Sequence, residues 1–299
     1  MHTGITSGAS GLLQRRDAAA LARLITLVEN DHPDAEQILS NLNINTTVPV
    51  IGLTGPPGAG KSSLLDALVE KLIGQNKRIG IIAVDPTSPF NFGALLGDRI
   101  RLSKHFNNEN VFIRSMATRG SLGGLADKVP EVIDVMRHFD FDFIFVETVG
   151  VGQSEVEIAG LADTTVVVLV PEAGDEVQAM KAGLMEIADV FVVNKADDPN
   201  AAEFASTLSK TIASNDRKIP VIKTVATQSQ GIDELIDALQ RSSTNPVDNP
   251  RRGYLLAQKA MRLIYKQRTK DIDPKTFHAQ LTEASHQPGF NLYNWVNRF

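Results

Sequence analysis

The sequence contains no cysteine, one tryptophan and three tyrosines among its 299 residues. Without cysteine the chain forms no disulfide and offers no thiolate ligand to a metal. The absence of disulfides suits a reducing compartment, and we expect a cytoplasmic protein. No apolar run approaches the ~20 residues of a membrane-spanning helix. The N-terminus also lacks the basic start and apolar stretch of a secretory signal, so we expect no membrane association.

Excess positive charge is also absent, since the formal net charge is −5. An acidic balance argues against bulk binding to nucleic acid, and we expect no nucleic-acid partner. Basic residues do concentrate near the C-terminus, where a solvated helix face explains them better than a binding patch. These residues are Arg251, Arg252, Lys259, Arg262, Lys266, Arg268 and Lys270.

The length allows one large domain with appendages or two domains. We predict an N-terminal helical extension over residues 1–47, with one helix from about residue 10 and a short second helix after Pro33. Residues 48–241 form the central domain. A polar linker with two prolines opens the third part, 242–299. Helical patterns follow the linker at 254–267 and 274–285.

The central part alternates short apolar runs with amphipathic stretches. Strands are predicted at 48–54, 79–84, 110–114, 142–147, 165–170, 190–194 and 220–225. Helices are predicted at 61–74, 93–106, 124–139, 176–187, 200–213 and 231–241. This alternation indicates an α/β fold, with a mostly parallel sheet that is covered by helices on both faces. Ligands of such sheets bind at the carboxyl ends of the strands.

The first strand runs into a glycine-rich loop with a lysine and a serine at its end. This stretch matches G-x-x-x-x-G-K-[ST] and is followed by a helical pattern, so a chance glycine-rich turn is a poor explanation. Backbone N–H groups of the loop and the positive end of the helix would bind phosphate oxygens. The fold is therefore predicted to be that of a P-loop NTPase. Its nucleotide-binding residues are predicted to be Gly55, Pro57, Gly58, Ala59, Gly60, Lys61, Ser62 and Ser63.

A second motif follows the sixth predicted strand, where Asn194, Lys195 and Asp197 form N-K-x-D. Asp197 would accept hydrogen bonds from the ring N–H and the exocyclic amine of guanine. Adenine lacks both donors, so GTP is preferred over ATP. Thr224 and Ala226, after the last strand, are a further candidate for contact with the base.

Two carboxylates end predicted strands beside the phosphate loop. Asp85 and Glu147 are therefore candidate ligands of Mg²⁺, together with the hydroxyl of Ser62. Glu147 and Gly150 have the D-x-x-G spacing of a γ-phosphate switch, with Glu in place of Asp. Asp85 could instead be a turn residue before proline, and Glu147 a plain strand-end carboxylate.

Three longer stretches carry a resemblance to a known family. The stretches 85–101, 147–155 and 174–189, the last of which precedes the N-K-x-D motif, resemble the MeaB/ArgK family. Members of this family are GTPases that serve adenosylcobalamin-dependent acyl-CoA mutases, and an older name for some is LAO/AO transport ATPase. The resemblance covers roughly residues 10–240.

The resemblance implies roles for further residues. Asp85, Asp98 and Glu147 match positions that gather around Mg²⁺ in different nucleotide states, with Ser62 as the fixed ligand. The resemblance also implies that GTP hydrolysis gates cobalamin delivery and release of damaged cofactor, slowly and under stimulation by the mutase. We take Lys61, Glu147 and Asp98 as the catalytic candidates. Switch and partner-coupling positions are predicted at Gln153, Asp175, Gln178 and Lys181.

The residues themselves also predict slow hydrolysis. No glutamine directly follows Gly150, and the nearest is Gln153. Pro56 occupies the loop position where some phosphate loops carry an extra lysine. Four arginines could approach the phosphates, although each is more simply a structural residue: Arg99, Arg101, Arg114 and Arg119.

The C-terminal part fits the family less well, although it offers an apolar stripe for a homodimer, which we expect. That stripe consists of Leu255, Leu256, Met261, Leu263, Ile264 and Tyr265. No cobalamin site is identified in the chain. A GTP-dependent metallochaperone is a competing function, but the six histidines are scattered. A transport-linked kinase and a non-hydrolysing GTP sensor also compete with the mutase-serving GTPase.

Overall fold

The computed structural model describes residues 6–85, 102–117, 128–148, 158–171, 183–213, 218–243 and 250–299. The chain divides into two compact units, Met1–Asn249 and Pro250–Phe299. The first unit contains a sheet of seven strands in the order β3-β2-β4-β1-β5-β6-β7. Every neighbouring pair of these strands is parallel. The α/β fold class is confirmed.

The strands overlap the seven predicted runs. They are β1 (Val50–Thr54), β2 (Ile79–Asp85), β3 (Val111–Ala117), β4 (Phe143–Glu147), β5 (Thr164–Leu169), β6 (Val190–Val193) and β7 (Val221–Lys223). Most of them are buried along their whole length because helices cover both faces of the sheet, so their sequences are continuous apolar runs.

The described residues contain these α-helices in chain order: α1 (Thr6–Gln14), α2 (Ala18–Glu29), α3 (Ala35–Ser40), α4 (Lys61–Gly74), α5 (Val129–Arg137), α6 (Leu184–Ile187), α7 (Ala201–Ala213), α8 (Ile232–Ser243), α9 (Pro250–Arg268), α10 (Pro274–Ser285) and α11 (Leu292–Val296). Helices α8 and α9 take up residues at both ends of the predicted linker. Most of the helix predicted at 93–106 falls outside the described residues, as does the first part of the one at 176–187.

The prediction of one N-terminal helix before Pro33 was wrong, because the chain forms α1 and α2 with a break between them. Asp17 causes the break. Its carboxylate accepts a hydrogen bond from the N–H of Ala20 at 2.8 Å, which caps the first turn of α2. An acid at this position satisfies a backbone donor that a helix start otherwise leaves open.

Helices on both faces of the sheet bury three apolar clusters. On one face, α4 and α8 pack over the centre of the sheet, with Leu68 and Leu235 among the fully buried side chains. The other face is shared by two groups of helices. Helices α2 and α5 cover β1, β2 and β4, whereas α6 and α7 cover β5 and β6. The N-terminal helices are therefore part of the domain core, since Leu24 and Ile25 have no exposed surface.

The end of α5 holds the N-terminal segment to the sheet. The Arg137 guanidinium donates to the carbonyl oxygen of Val48 at 3.0 Å and pairs with Asp163. The ring of His138 contacts the N–H of Asn43 and the carbonyl oxygen of Leu13, both at 2.9 Å. These contacts join α1 and the chain after α3 to the edge of the sheet opposite the phosphate loop.

The second unit consists of α9, α10 and α11. Trp295 is buried, with 6% of its surface exposed. The Trp295 ring lies 5.1 Å from the ring centres of both Phe277 and Phe299. In the part of the chain that the structure describes, no helix has the length and apolarity needed to cross a membrane.

Candidate nucleotide-binding site

The sheet order places the predicted site residues at one edge. Strand β1 leads into the phosphate loop, β4 ends at Glu147, and β6 is followed directly by Asn194. Because β4 and β5 flank β1 and β6 follows β5, the carboxyl ends of these strands lie side by side. The edge that holds them is the one where ligands of parallel sheets bind.

Glycines shape the phosphate loop. Gly55, Gly58 and Gly60 have φ values of 139°, 81° and 85°, which L side chains rarely adopt. At Gly55 space is also lacking, because an added Cβ would lie 2.1 Å from the carbonyl oxygen of Val168 on β5. The loop therefore lies directly against the neighbouring strand, which no residue with a side chain permits.

Helix α4 begins at the end of this loop with Gly60 as its N-cap, and no side chain caps its first turn. A first turn of this kind presents backbone donors and the positive end of the helix dipole to an anion. The ammonium of Lys61, on that turn, donates to the carbonyl oxygens of Gly55 at 2.9 Å and Pro56 at 3.1 Å. The lysine is 7% exposed, so its charge lies within the loop.

Ser62 and Glu147 meet beside the loop. The Ser62 hydroxyl donates to Glu147 Oε1 at 2.7 Å, and the two residues are 5% and 2% exposed. Register places Glu147 beside Leu53 of β1. A buried hydroxyl and carboxylate therefore meet where α4 starts and β4 ends, and both groups offer oxygen ligands of the kind that Mg²⁺ prefers.

The chain after β6 is organised by the side chain of Asn194, which is 3% exposed. Its amide nitrogen donates to the carbonyl oxygen of Ala59 in the phosphate loop at 3.0 Å. Its amide oxygen accepts from the Thr224 hydroxyl at 3.0 Å and from the N–H of Ala226 at 3.2 Å. One side chain thus connects the phosphate loop, the end of β6 and the loop after β7.

The two loops also touch at Gly60. A Cβ added there would lie 2.4 Å from the amide nitrogen of Asn194. The glycine therefore serves both the positive φ of the loop and the close approach of Asn194.

Two other residues of the N-K-x-D motif, Lys195 and Asp197, are exposed. Lys195 has a φ of 55°, in the left-handed region. The loop that contains them is closed by backbone hydrogen bonds from Ala196 N–H to the carbonyl oxygen of Thr224 and from Asp198 N–H to that of Lys195, both 3.0 Å. The exposed carboxylate of Asp197 is available to a ligand, and it follows Ala196, whose N–H is bound to Thr224.

Several predicted site residues lie outside the described residues: Asp98, Gly150, Gln153, Asp175, Gln178 and Lys181. For Asp85 the structure describes only the backbone, which ends β2. Pro57, Gly58 and Ser63 are exposed on the loop and the first turn of α4. Among the residues that the structure describes, no three histidine, aspartate or glutamate side chains lie close enough together to hold a metal ion by themselves. The binding roles of all these residues stay predictions.

Sequence reasoning missed two contacts between residues that are far apart in the chain. The ring of His105 contacts the Asp66 carboxylate of α4 at 2.8 Å. Arg114, a candidate for approach to the phosphates, is bound to Glu29 on α2. Neither contact has a local sequence signal, because the partners are far apart in the chain.

The profile of a family described as methylmalonyl-CoA mutase-associated GTPase MeaB matches residues 21–280. The chain is 51% identical over 236 residues to a Pyrococcus abyssi protein named as a candidate GTPase. The matched residues make up 76% of this chain and 73% of that protein. It is 36% identical over 264 residues to the mouse mitochondrial methylmalonic aciduria type A homolog, covering 80% of this chain and 61% of that protein.

Among solved structures, the chain is similar to a LAO/AO transport system kinase. The two share 27% sequence identity and superpose with a TM-score of 0.69. The match covers 91% of this chain and 86% of the other. The parallel sheet and the phosphate loop thus belong to a P-loop NTPase fold.

Proposed function

This chain belongs to the MeaB family of methylmalonyl-CoA mutase-associated GTPases, and from that membership we propose that it is a GTP-hydrolysing switch for a cobalamin-dependent acyl-CoA mutase. In this role, GTP binding and hydrolysis gate the loading of adenosylcobalamin onto the mutase and protect the loaded cofactor.

One observation carries the nucleotide part of the proposal. Asn194 bonds to Ala59 of the phosphate loop and to Thr224 and Ala226 of the last loop. A ligand with phosphates at one end and a base at the other would lie across these connected loops. Asp197, exposed next to them, provides the carboxylate that pairs with guanine. Adenine would leave that carboxylate without its donors, so GTP is the preferred ligand.

The chemistry of the described residues fits Mg²⁺. Ser62 and Glu147 supply hard oxygen ligands at one point beside the loop, 2.7 Å apart. Asp85 and Asp98 are proposed to add carboxylates. When bound, Mg²⁺ would neutralise charge on the terminal phosphates.

Lys61 is proposed to act on the phosphates directly. Its ammonium, now donating to Gly55 and Pro56, would turn to the β- and γ-phosphate oxygens that enter the loop. A buried point charge there stabilises the negative charge that develops during phosphoryl transfer. Gly150 is proposed to donate its N–H to the γ-phosphate, while Glu147 and Asp98 hold Mg²⁺ beside it. Release of the cleaved phosphate would free the loop that contains Gly150.

Hydrolysis by the chain alone is proposed to be slow. Rapid hydrolysis needs an ordered water and extra positive charge at the γ-phosphate. In the sequence, Gln153 comes three residues after Gly150 and not directly after it. Arg114 is bound to Glu29. We propose that the mutase stimulates turnover through Gln153, Asp175, Gln178 and Lys181.

We also propose that the chain forms a homodimer through residues 250–299. Helix α9 exposes large apolar side chains, including Leu256 at 67% and Met261 at 64%. Burial of such side chains against a second copy would remove apolar surface from water. Sedimentation equilibrium should detect a dimer, and Leu256→Asp with Met261→Asp should shift it to monomer. A monomer at all concentrations would contradict this part.

The proposal is tested by measuring GTP hydrolysis with and without a purified acyl-CoA mutase. We expect slow hydrolysis alone, faster hydrolysis with the cognate mutase, and little activity with ATP. Candidate mutases are methylmalonyl-, isobutyryl-, ethylmalonyl- and hydroxyisobutyryl-CoA mutases. Capture from native lysate with a GTP analogue, compared with GDP, identifies the partner. A fast rate that no mutase changes would contradict the proposal.

Variants of the site provide the controls. Lys61→Ala should abolish nucleotide binding, because it removes the charge within the phosphate loop. Lys71→Ala removes an exposed ion pair between α4 and Asp233 of α8. This variant should bind GTP as the wild type does, because exposed ion pairs contribute little to stability. Tight GTP binding by Lys61→Ala would refute the site assignment.

A second candidate function is transfer of the γ-phosphate to a protein, because the solved relative bears the name of a transport system kinase. A kinase needs a base that activates the acceptor beside the γ-phosphate. No described residue stands out for this role. Incubation with γ-labelled GTP and lysate separates the two functions, since label would pass to a protein only in the kinase.

A further inference from the structure

Two buried threonines meet where the phosphate loop and the chain after β4 leave the sheet. Thr54 is the last residue of β1 and directly precedes Gly55, and Thr148 directly follows Glu147 at the end of β4. Their hydroxyl oxygens lie 3.2 Å apart, and the two residues are 0% and 1% exposed. A hydrogen bond between side chains therefore joins the two segments directly beside proposed ligand-binding residues.

Backbone pairing of the two strands stops just before this contact. The last residues in register between β1 and β4 are Leu53 and Glu147. The N–H of Thr148 donates to the carbonyl oxygen of Leu53 at 3.1 Å, and the Thr148 hydroxyl lies 3.4 Å from the same oxygen. The contact with Thr54 thus extends the connection between the two strands by one residue beyond their last register pair.

The two threonines are not held equally. Thr54 lies within β1 and is in register with Val167 of β5. Gly55, the next residue, lies directly against the carbonyl oxygen of Val168 on the same strand. Thr148 lies one residue past the end of β4. Thr54 is therefore the fixed partner, and the hydrogen bond acts on the position of Thr148 and of the residue before it.

Glu147 is thereby held from both faces of the sheet. Its carboxylate accepts from the Ser62 hydroxyl of α4 at 2.7 Å. Leu53 belongs to the buried cluster beneath α4, and successive side chains of a strand point to opposite faces, so Thr54 and its partner lie on the other face. The side chain of Glu147 is bound on one face and its C-terminal neighbour on the other, which limits how far the carboxylate can move from the phosphate loop.

We propose that Thr148 is a positioning residue of the nucleotide site, which acts through Thr54 to hold the Glu147 carboxylate beside Ser62. The inference rests on the proposed function, because Mg²⁺ is expected to bind at Ser62 and Glu147 together with GTP. Ligands that are already in place lose less conformational freedom when the ion binds. Without the threonine pair, the Mg²⁺-dependent part of the affinity for GTP should therefore fall.

A purely structural role for the pair predicts a different result. A buried hydroxyl that loses its partner lowers stability, whereas replacement of both partners by apolar groups of the same shape is nearly neutral. The double variant Thr54→Val with Thr148→Val should therefore have nearly the thermal midpoint of the wild type. If the pair only stabilises the fold, this variant also recovers the full response of GTP binding to Mg²⁺. If the pair positions Glu147, the response stays reduced although the stability has returned.

The test measures the affinity of the full chain for a fluorescent GTP analogue in Mg²⁺ and in EDTA, together with the thermal midpoint. We expect Thr148→Val and the double variant each to reduce the Mg²⁺-dependent gain in affinity about tenfold. Binding in EDTA should not change, because the phosphate loop keeps its support from β5. Thr148→Val alone should also lower the thermal midpoint by about 2–4 °C. Thr148→Ser, which keeps the hydroxyl, should recover most of the gain.

Thr164→Val is the matched control. Thr164 is a fully buried threonine at the start of β5, and among the residues that the structure describes its hydroxyl has no hydrogen-bond partner. The start of this strand lies at the end of the sheet away from the phosphate loop, since Thr164 is in register with Ile51 near the start of β1. This variant should keep both the full Mg²⁺-dependent gain and the thermal midpoint of the wild type.

The outcomes distinguish this inference from the proposed function. A full Mg²⁺-dependent gain in the double variant would overturn the positioning role while the wild type still binds and hydrolyses GTP. An equal loss of the gain in Thr164→Val would also overturn it, because any buried threonine would then have the same effect. If Thr148→Val fails to fold, the double variant and Thr148→Ser decide the question. A wild-type chain that binds no GTP would overturn the proposed function and this inference with it.

Discussion

The phosphate loop and the loop after β6 lie side by side but are built by different means. Backbone conformation shapes the first, since Gly55, Gly58 and Gly60 adopt positive φ values and Gly55 lies against β5. A side chain shapes the second, because the buried amide of Asn194 makes its connections. The first loop leaves no room for a Cβ at Gly55 or Gly60, whereas the second loop depends on the hydrogen bonds of one amide.

The largest effect is expected for Gly55→Ala. An added Cβ would lie 2.1 Å from the Val168 carbonyl oxygen, in a backbone conformation with φ of 139°. We expect a loss of about 3–5 kcal/mol in the free energy of unfolding, measured by denaturant titration, and no GTP binding. Gly74→Ala is the control, because space is open at the end of α4. Equal stability of the two variants would show that the loop can move away from β5.

The next effect is expected for Asn194→Ala. The substitution removes the bonds to Ala59, Thr224 and Ala226, whose groups are buried. Each buried group left without a partner costs about 1–3 kcal/mol. At the lower end of that range, the three groups together give an expected loss of about 3 kcal/mol in the free energy of unfolding. GTP affinity should fall as well, because both loops lose their connection. Unchanged stability would mean that water replaces the amide without cost.

Local signals in the sequence predicted the phosphate loop well. The apolar run of β1, the spacing of Gly55 and Lys61 and the helical pattern after Ser62 are all contained in one short stretch. The central strands were predicted for a similar reason, since β1, β4, β5 and β6 are buried along their whole length and are therefore continuous apolar runs.

Contacts between distant residues were not predicted. His105 and Asp66 are 39 residues apart, and Arg114 and Glu29 are 85 residues apart. No periodicity or motif links such pairs, because their meeting depends on how strands and helices pack. The place of α2 in the core was missed for a similar reason: its apolar face was visible, but the surface that it covers was not.

An exposed residue of the second loop should behave differently from Asn194. Asp197→Asn removes a charged acceptor that faces solvent, so we expect stability to stay within about 0.5 kcal/mol of the wild type. GTP binding should weaken by about 2 kcal/mol, while weak ATP binding stays as it was. Competition binding with both nucleotides measures this loss of preference. If the variant still prefers GTP, other residues, such as those around Thr224, must recognise guanine.

The smallest effect tests whether the two loops act as one unit. An added Cβ at Gly60 would lie 2.4 Å from the Asn194 amide nitrogen, whereas space is open at Gly58. Both glycines have positive φ, so alanine at either costs about 1–2 kcal/mol in backbone strain.

Only Gly60→Ala adds a clash with Asn194, and Asn194→Ala would relieve it. Gly60→Ala should therefore destabilise the Asn194→Ala background about 1 kcal/mol less than it destabilises the wild type. Gly58→Ala should cost the same in both backgrounds, which makes it the matched control. Double-mutant cycles of unfolding free energy measure the difference. Additivity at Gly60 would mean that Asn194 moves aside at no cost, and the two loops would then be independent neighbours.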